Sequence, residues 1–313
     1  MHPITDRPVR RLVLDTDIGS DVDDAMALAQ IMGTPGLELV EVHTVYGDTR
    51  LRARIARRYA ALAGQDFDVV AGEATPLSGR EVWWPGHEGT MHPDLDRETF
   101  AEGSAPERLV ALLKEHPGEL DVVAIGPLTN LAAALALEPE AGGWIRHLWV
   151  MGGWFGDDSG TEHNFRSDDV AARTVLTAGI PTTVTGIEIT RRVSIETERL
   201  ERIRAAGPLG AALGADIEQW WAFWNETWNV PHDPVTVLTL ARPELFTVSE
   251  PGRITIAVGG DDAGRSTFTP DSAGTVRITT GLDADAVAEE ITARIVAAAA
   301  YPALHGETDD HRP

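Results

Sequence analysis

The chain has 313 residues, of which 43% are hydrophobic, enough for one large α/β domain or two ordinary ones, and no apolar run approaches the length of a transmembrane helix. A formal charge of −23 argues against general affinity for nucleic-acid phosphates, and Lys114 is the sole lysine. The lack of cysteine excludes disulfides, thiolate metal sites and cysteine nucleophiles.

Residues 1–11 are polar and carry no apolar signal-peptide core, so a cytoplasmic protein without membrane attachment is expected. Residues 11–15 read as a buried strand and residues 23–32 as a helix with apolar side chains at helical spacing. Strands at 37–45 and 68–71 flank a helix at 50–63. Helices at 105–116 and 128–137 flank a strand at 121–125, and a strand at 145–151 precedes a helix at 168–178 closed by Gly179 and Pro181. Such alternation predicts an α/β fold, an open and mainly parallel sheet with helices on both faces. Further on, 196–228 reads as largely helical, 253–258 and 275–280 as strands, and 283–300 as a closing helix. No Ser- or Pro-rich linker and no internal repeat divides the chain, so a single domain over 1–313 is expected, with a polar tail after about residue 301.

Two long aperiodic stretches break the rhythm, 73–104 and 152–167. Both fall where ligands bind in open parallel sheets, beyond the carboxyl ends of strands. The first contains Trp83, Trp84, His87 and His92.

The sharpest feature lies between the first strand and first helix, in Asp15-Thr16-Asp17-Ile18-Gly19-Ser20-Asp21-Val22-Asp23-Asp24-Ala25: five carboxylates in ten residues. Like charges so close raise one another's pKa or require a cation between them. An oxygen-only ligand set favours Ca²⁺ or Mg²⁺ over zinc. A solvated turn with two helix-capping acids is the plainer alternative, but it does not account for five acids beside an apolar strand. An EF-hand loop counted from Asp15 would need Gly where Ser20 stands and Glu where Met26 stands, so it fails. A phosphatase working through an aspartyl-phosphate also opens on a strand and Asp-x-Asp, but it would want Thr or Val in place of Gly19 and a basic residue near a strand end. Lys114 falls in a predicted helix, which leaves that reading second.

At these residues the chain resembles the inosine–uridine-preferring nucleoside hydrolase family. Asp15-Thr16-Asp17-Ile18-Gly19 with Asp23-Asp24-Ala25 is similar to its N-terminal fingerprint, and three later segments follow in order: Gly126-Pro127-Leu128-Thr129-Asn130, Glu162-His163-Asn164 with Asp168, and His232-Asp233-Pro234. The resemblance spans residues 11 to 246. It implies that Asp17, Asp24, Asp233 and the backbone carbonyl of Ile125 bind Ca²⁺, with ribose hydroxyls and a water completing the shell. It also implies that Asp23 holds ribose hydroxyls, that Glu162 and Asn164 bind the 5′- and other sugar hydroxyls, and that Asp15 buttresses the site. Glu162 and Asn164 show no local structural task in the sequence, whereas Asp168 reads as a helix cap and Asn130 as a hydrogen bonder at a helix start.

The match has departures. Residues 20–22 carry two extra positions, Asp21 is an additional acid, and Ile18 replaces the usual Pro. Asp48 stands where the family usually has Asn, which makes it a candidate substrate contact. The usual Asn near Gly156 is missing, with Asp157 and Asp158 nearby.

The resemblance implies hydrolysis of a ribonucleoside to ribose and free base. Asp17 would take a proton from water acidified by the ion, and His232 or His87 would assist the departing base. Trp220, Trp224 and Trp228 are spaced four apart; on one helix they would share a face, from which Trp224 or Trp228 could stack on the base. The implied partners are a small nucleoside and further copies of the chain in a homodimer or homotetramer. A protein that binds nucleoside or ribose through calcium without turnover is the non-catalytic alternative.

Overall fold

The computed structural model describes residues 8–156 and 160–305, the last five without their side chains. Asp157 and Asp158 lie outside the described residues. The chain opens on β1 (Arg10–Thr16), α1 (Asp23–Met32), β2 (Leu37–Thr44), α2 (Thr49–Leu62) and β3 (Asp68–Ala71). After the loop at 72–104 come α3 (Ala105–Glu115), β4 (Leu120–Ala124), α4 (Thr129–Leu137) and β5 (His147–Met151). These match the predicted elements to within a few residues, because the strands carry short apolar stretches and α2 and α3 each carry one apolar face.

Next come α5 (His163–Ser167), α6 (Asp169–Leu176), β6 (Thr182–Thr185), α7 (Ile187–Thr190), β7 (Ile195–Glu196), α8 (Thr197–Arg204), α9 (Pro208–Trp224) and β8 (Trp228–Asn229). The chain closes with α10 (His232–Ala241), β9 (Phe246–Val248), β10 (Gly252–Ile256), β11 (Ser266–Pro270), β12 (Val276–Leu282) and α11 (Ala284–His305). The stretch 196–228 is largely helical as expected, divided into α8 and α9 and followed by a short strand. Asn225 adopts the left-handed conformation (φ 56°) and ends α9, so Trp228 leaves the helix that carries Trp220 and Trp224.

The central sheet has ten strands in the order β11-β10-β12-β6-β5-β4-β1-β2-β3, with β9 beside β12. From β12 to β3 every pairing is parallel, while β9, β10 and β11 run antiparallel at the far edge. The sheet is open, mostly parallel and flanked by helices on both faces. On β1, Leu12 and Leu14 enter one core with α1, α2 and α11, and Val13 enters the other with α3, α4 and α6. Alternate side chains pointing to opposite faces explain why a strand buried on both sides reads as an unbroken apolar run.

The order of strands places the site. From β1 the chain winds outward through β2 and β3, then returns to the other side of β1 to form β4. The connections leaving β1 and β4 therefore diverge, opening a crevice at the carboxyl ends of these two strands. Asp15 and Ile125 meet there, with the Ile125 N–H donating to the Asp15 carbonyl at 2.9 Å.

Candidate active site

The turn after β1 cannot be an ordinary solvated loop, because its acids are buried. Asp15, Asp17, Asp23 and Asp24 are all below one-tenth exposed, as is Asp233 at the start of α10. Gly19 (φ +116°) gives the turn a conformation that side-chain-bearing residues rarely adopt. Gly126 lets the β4–α4 connection pass close by; a Cβ there would stand 2.7 Å from Asp17 Oδ1.

A single buried arginine holds this turn. Arg52 of α2 donates to the carbonyls of Tyr46, Asp17 and Ile18 and to the Ser20 hydroxyl, and its guanidinium lies over the Trp84 ring. Thr16 adds a second tie: its hydroxyl donates to Asp24 and accepts from the Ile18 N–H. Asp15 accepts from Asn130 Nδ2 at 2.7 Å. Asn130 also donates to the Thr44 carbonyl and accepts from the Glu73 N–H, so it ties three strand ends rather than merely opening α4.

Carboxylate oxygens of Asp23, Asp24 and Asp233 lie within 4.8 Å of one another. Among the described residues this trio contains Asp23 where Asp17 was expected; Asp17 lines the same cavity. Burial, reinforced by mutual repulsion, pushes the pKa of Asp23, Asp24 and Asp233 well above the carboxylate range. Burial also raises Asp17, against the opposing pull of Arg52 and His163. Asp15 is pushed up to about 8 and the extra acid Asp21 to about 7, both by burial first. One guanidinium, committed mainly to backbone carbonyls, does not balance this group. A hard divalent cation on an oxygen-only donor set fits it.

The group opens into a cavity of about 390 Å³. Ile125, Met151, Glu162, Asn164, Ile187, Trp220, Trp224 and His232 line it together with the acids. Trp83 reaches it from the 73–104 loop. His232 is half-buried, and its Nδ1 lies 2.6 Å from the Thr190 hydroxyl. Burial, with Arg191 nearby, lowers its pKa to about 3, so the ring is neutral at pH 7, in contrast to the near-neutral titration expected. The Thr190 hydroxyl also donates to the Ile187 carbonyl at 3.2 Å, and its bond to Nδ1 takes its direction from the ring's tautomer.

Glu162 and Asn164 line the cavity and also have structural work that the sequence did not reveal. Glu162 caps α5, its carboxylate accepting from the N–H groups of Asn164 (2.6 Å), Phe165 (3.0 Å) and Gly153 (3.0 Å). Asn164 Nδ2 donates to the Ile125 carbonyl at 2.8 Å, which aims the very oxygen expected to face the metal. Changing Glu162 to Ala strands three buried donors and is expected to cost about 2–3 kcal/mol of stability. Urea unfolding measures this, and an unchanged midpoint would show that the cap is dispensable. Asp168 is a cap as expected, accepting from the Ala171 N–H, and it also fastens Leu77 and Ser78 of the long loop.

Three expected substrate contacts are not brought to this cavity. Asp48 is exposed and caps α2 by accepting from the Leu51 N–H at 2.9 Å. His87 is held behind the cavity wall, with Nε2 2.7 Å from the Ser20 carbonyl and its ring edge-on to Trp220 and Phe223. Trp228, 43% exposed on β8, lines only a shallow surface hollow with residues of the β7–α8 junction. Lys114, which the phosphatase reading would need, is exposed on α3 and outside the cavity. Conversely, Thr190, Ile187 and His163 were not anticipated. Thr190 and Ile187 sit on a four-residue helix too short to leave a periodic signal.

Comparison with known proteins places this geometry. The family model described as inosine-uridine preferring nucleoside hydrolase matches residues 12–289. A "Probable uridine nucleosidase 2" of Oryza sativa subsp. japonica is 32% identical over 76% of this chain and 75% of its own length. A "Pyrimidine-specific ribonucleoside hydrolase RihA" of Salmonella schwarzengrund is 30% identical over 76% of this chain and 82% of its own. Among solved structures, a "Plant nucleoside hydrolase - PpNRh1 enzyme" superposes with a TM-score of 0.83 at 27% identity, over 92% of this chain and 99% of that one. The match runs from the first buried strand into the closing helix and includes every acid of the crevice, so the chain belongs to the inosine-uridine preferring nucleoside hydrolase family and is a ribonucleoside hydrolase.

Proposed function

We propose that this ribonucleoside hydrolase is calcium-dependent, that Asp23, Asp24 and Asp233 with Asp17 and the Ile125 carbonyl hold the ion, and that pyrimidine and purine nucleosides are both substrates. The observation that carries this reading is the buried carboxylate trio within 4.8 Å, opening into a cavity of nucleoside size. When bound, the ion supplies a positive centre that anchors vicinal hydroxyls and acidifies water.

The chain's own groups supply the rest. Asp17, beside the trio and raised by burial, takes the proton of the attacking water. The buried carboxylates stabilise positive charge developing on the ribose as the base departs. His232 faces the same cavity as a neutral ring, so in the tautomer with its proton on Nε2 it assists the base with a hydrogen bond rather than as an imidazolium. Trp220 and Trp224, edge to face at 5.7 Å, wall that side and exclude water from the leaving base. The similar proteins named for uridine or pyrimidine ribonucleosides support pyrimidine substrates. We extend the proposal to a cytoplasmic homodimer or homotetramer; among the described residues no helix is long and apolar enough to cross a membrane.

Product analysis over a nucleoside panel, with and without Ca²⁺, tests the reading. Free ribose and base that appear only with the ion support it, and equal turnover in a chelator overturns the calcium dependence. Binding without products would instead leave a nucleoside-binding protein. His232→Ala is expected to slow uridine and inosine by about a hundredfold or more while sparing p-nitrophenyl riboside, whose leaving group needs no assistance. Equal loss on all three substrates would make His232 only a support for Asp233.

A further inference from the structure

The cavity does not end at Trp83 and His163. Both side chains are shared with a second, open hollow of about 550 Å³, which Arg80, Arg166 and Ser167 also line. The residues placed around the base, His232, Trp220 and Trp224, do not line it. In a chain of net charge −23, this hollow presents two guanidinium groups against the single exposed carboxylate of Glu81.

Neither guanidinium is strongly engaged by the described residues. Arg166 is exposed and donates to the Thr161 hydroxyl at 3.3 Å. Arg80 reaches the Gly260 carbonyl at 3.4 Å and lies 3.9 Å from Asp169. Contacts of this length leave most of each five-donor fork for a ligand. Ser167 and His163, whose Oγ and Nε2 lie 3.5 Å apart, add smaller donors beside them.

The geometry of a furanose decides what faces this hollow. C1′ and C4′ flank the ring oxygen, while the 2′ and 3′ hydroxyls occupy the opposite edge. With the diol on the acidic trio and the base towards His232, C4′ and its C5′ substituent point away from both, to the rest of the lining, which includes Glu162, His163 and Asn164. This placement rests on the reading of the site proposed above. His163 and Trp83, in edge contact at 5.5 Å, border both this cavity and the arginine-lined hollow. The Glu162 carboxylate lines the cavity, but both its oxygens accept backbone N–H groups, which compensate its charge.

We infer that the hollow is a 5′-phosphate subsite and that the enzyme hydrolyses nucleoside 5′-monophosphates as well as nucleosides. The step is the same in both cases. The C1′–N bond breaks with its electron pair leaving on the base, and a water oxygen bonds to C1′. One water proton remains on the new C1′ hydroxyl and the other ends on the base. Uridine 5′-monophosphate and water thus give ribose 5-phosphate and uracil, and the phosphate ester stays intact.

The test compares uridine with uridine 5′-monophosphate on the calcium-loaded wild type, Arg166→Ala, Arg80→Ala/Arg166→Ala and Arg166→Lys. The wild type is expected to release uracil and ribose 5-phosphate from the nucleotide. The double variant is expected to lose about tenfold or more in kcat/KM on the nucleotide, the range of a charge-assisted hydrogen bond, with uridine unchanged. Arg166→Ala is expected to account for most of that loss, because Arg80 is partly occupied by Asp169, and Arg166→Lys to restore part of it. Uridine kinetics serve as the control for folding. Cleavage of uridine alone by the wild type, or equal losses on both substrates in the variants, overturns the phosphate subsite. Cleavage of neither substrate overturns the hydrolase reading beneath it.

Discussion

Exchange of Asp17 for Asn is expected to lower kcat on uridine by about a thousandfold, the range set by loss of a general base together with a weakened ion site. The change is nearly isosteric, and the turn should survive it, since Arg52 grips residue 17 through its backbone carbonyl rather than its carboxylate. Asp17 adds to the repulsion that raises Asp24 and Asp233, so removing its charge should also make the metal-free protein more stable. Activity and metal-free stability are therefore expected to move in opposite directions. That separates a catalytic group from a packing one. Steady-state kinetics at saturating Ca²⁺, with ion binding followed by calorimetry, check both halves. Turnover within a fewfold of wild type, with the ion still bound, would remove Asp17 from the chemistry.

The fold and the site were legible in the sequence to different depths. The first half of the chain alternates apolar strands with one-faced helices, and those elements formed almost where the periodicity put them, because local pattern and tertiary burial agree there. β6 escaped notice because Thr182–Thr185 is neither apolar nor alternating; its threonines are buried, and Thr185 is satisfied at 3.0 Å by Thr279, 94 residues away. The end of α9 was readable after all, since Asn225 is a residue type that commonly takes the left-handed cap, yet the tryptophan spacing outweighed it.

Within the site, the acids announced themselves by density, but their supports did not. Arg52 is one of five arginines among residues 50–58, and nothing local distinguishes the one that is buried. Thr190 and His232 lie 42 residues apart and meet only because α7 and α10 pack together. A glutamate cap that reaches back to Gly153 has no short-range signature, so the structural task of Glu162 leaves no mark in the sequence. Side chains that carry chemistry are concentrated in motifs. The groups that aim them come from wherever the fold supplies a partner.

Stripping the ion is expected to make the protein's stability fall as pH rises from about 6.5 to about 8. The folded state raises Asp15 to about 8 and Asp21 to about 7, and lifts Asp23, Asp24 and Asp233 as well, all from an ordinary 3.8. Over that range the folded chain therefore binds more protons than the unfolded one, and stability declines with pH. The two depressed histidines act in the opposite sense, His232 at about 3 and His147 at about 4, each against an ordinary 6.5. Their contribution grows as pH rises to 6.5 and is then complete, so above 6.5 the carboxylates act alone. Calcium binds the ionised cluster and competes with its protons, so its stabilising effect should increase with pH. At a thousandfold excess over Kd, the gain is about 4 kcal/mol, or roughly 5–10 °C in Tm for a chain of this size. Thermal melts in chelator and in Ca²⁺ at pH 6.5 and pH 8 measure both slopes. The expected result is a falling metal-free Tm, a nearly level calcium-loaded one, and a gap widest at pH 8. A metal-free Tm that rises over this interval, or one that Ca²⁺ leaves unmoved, would mean that the buried acids are neutralised within the protein and that the crevice is not an ion site.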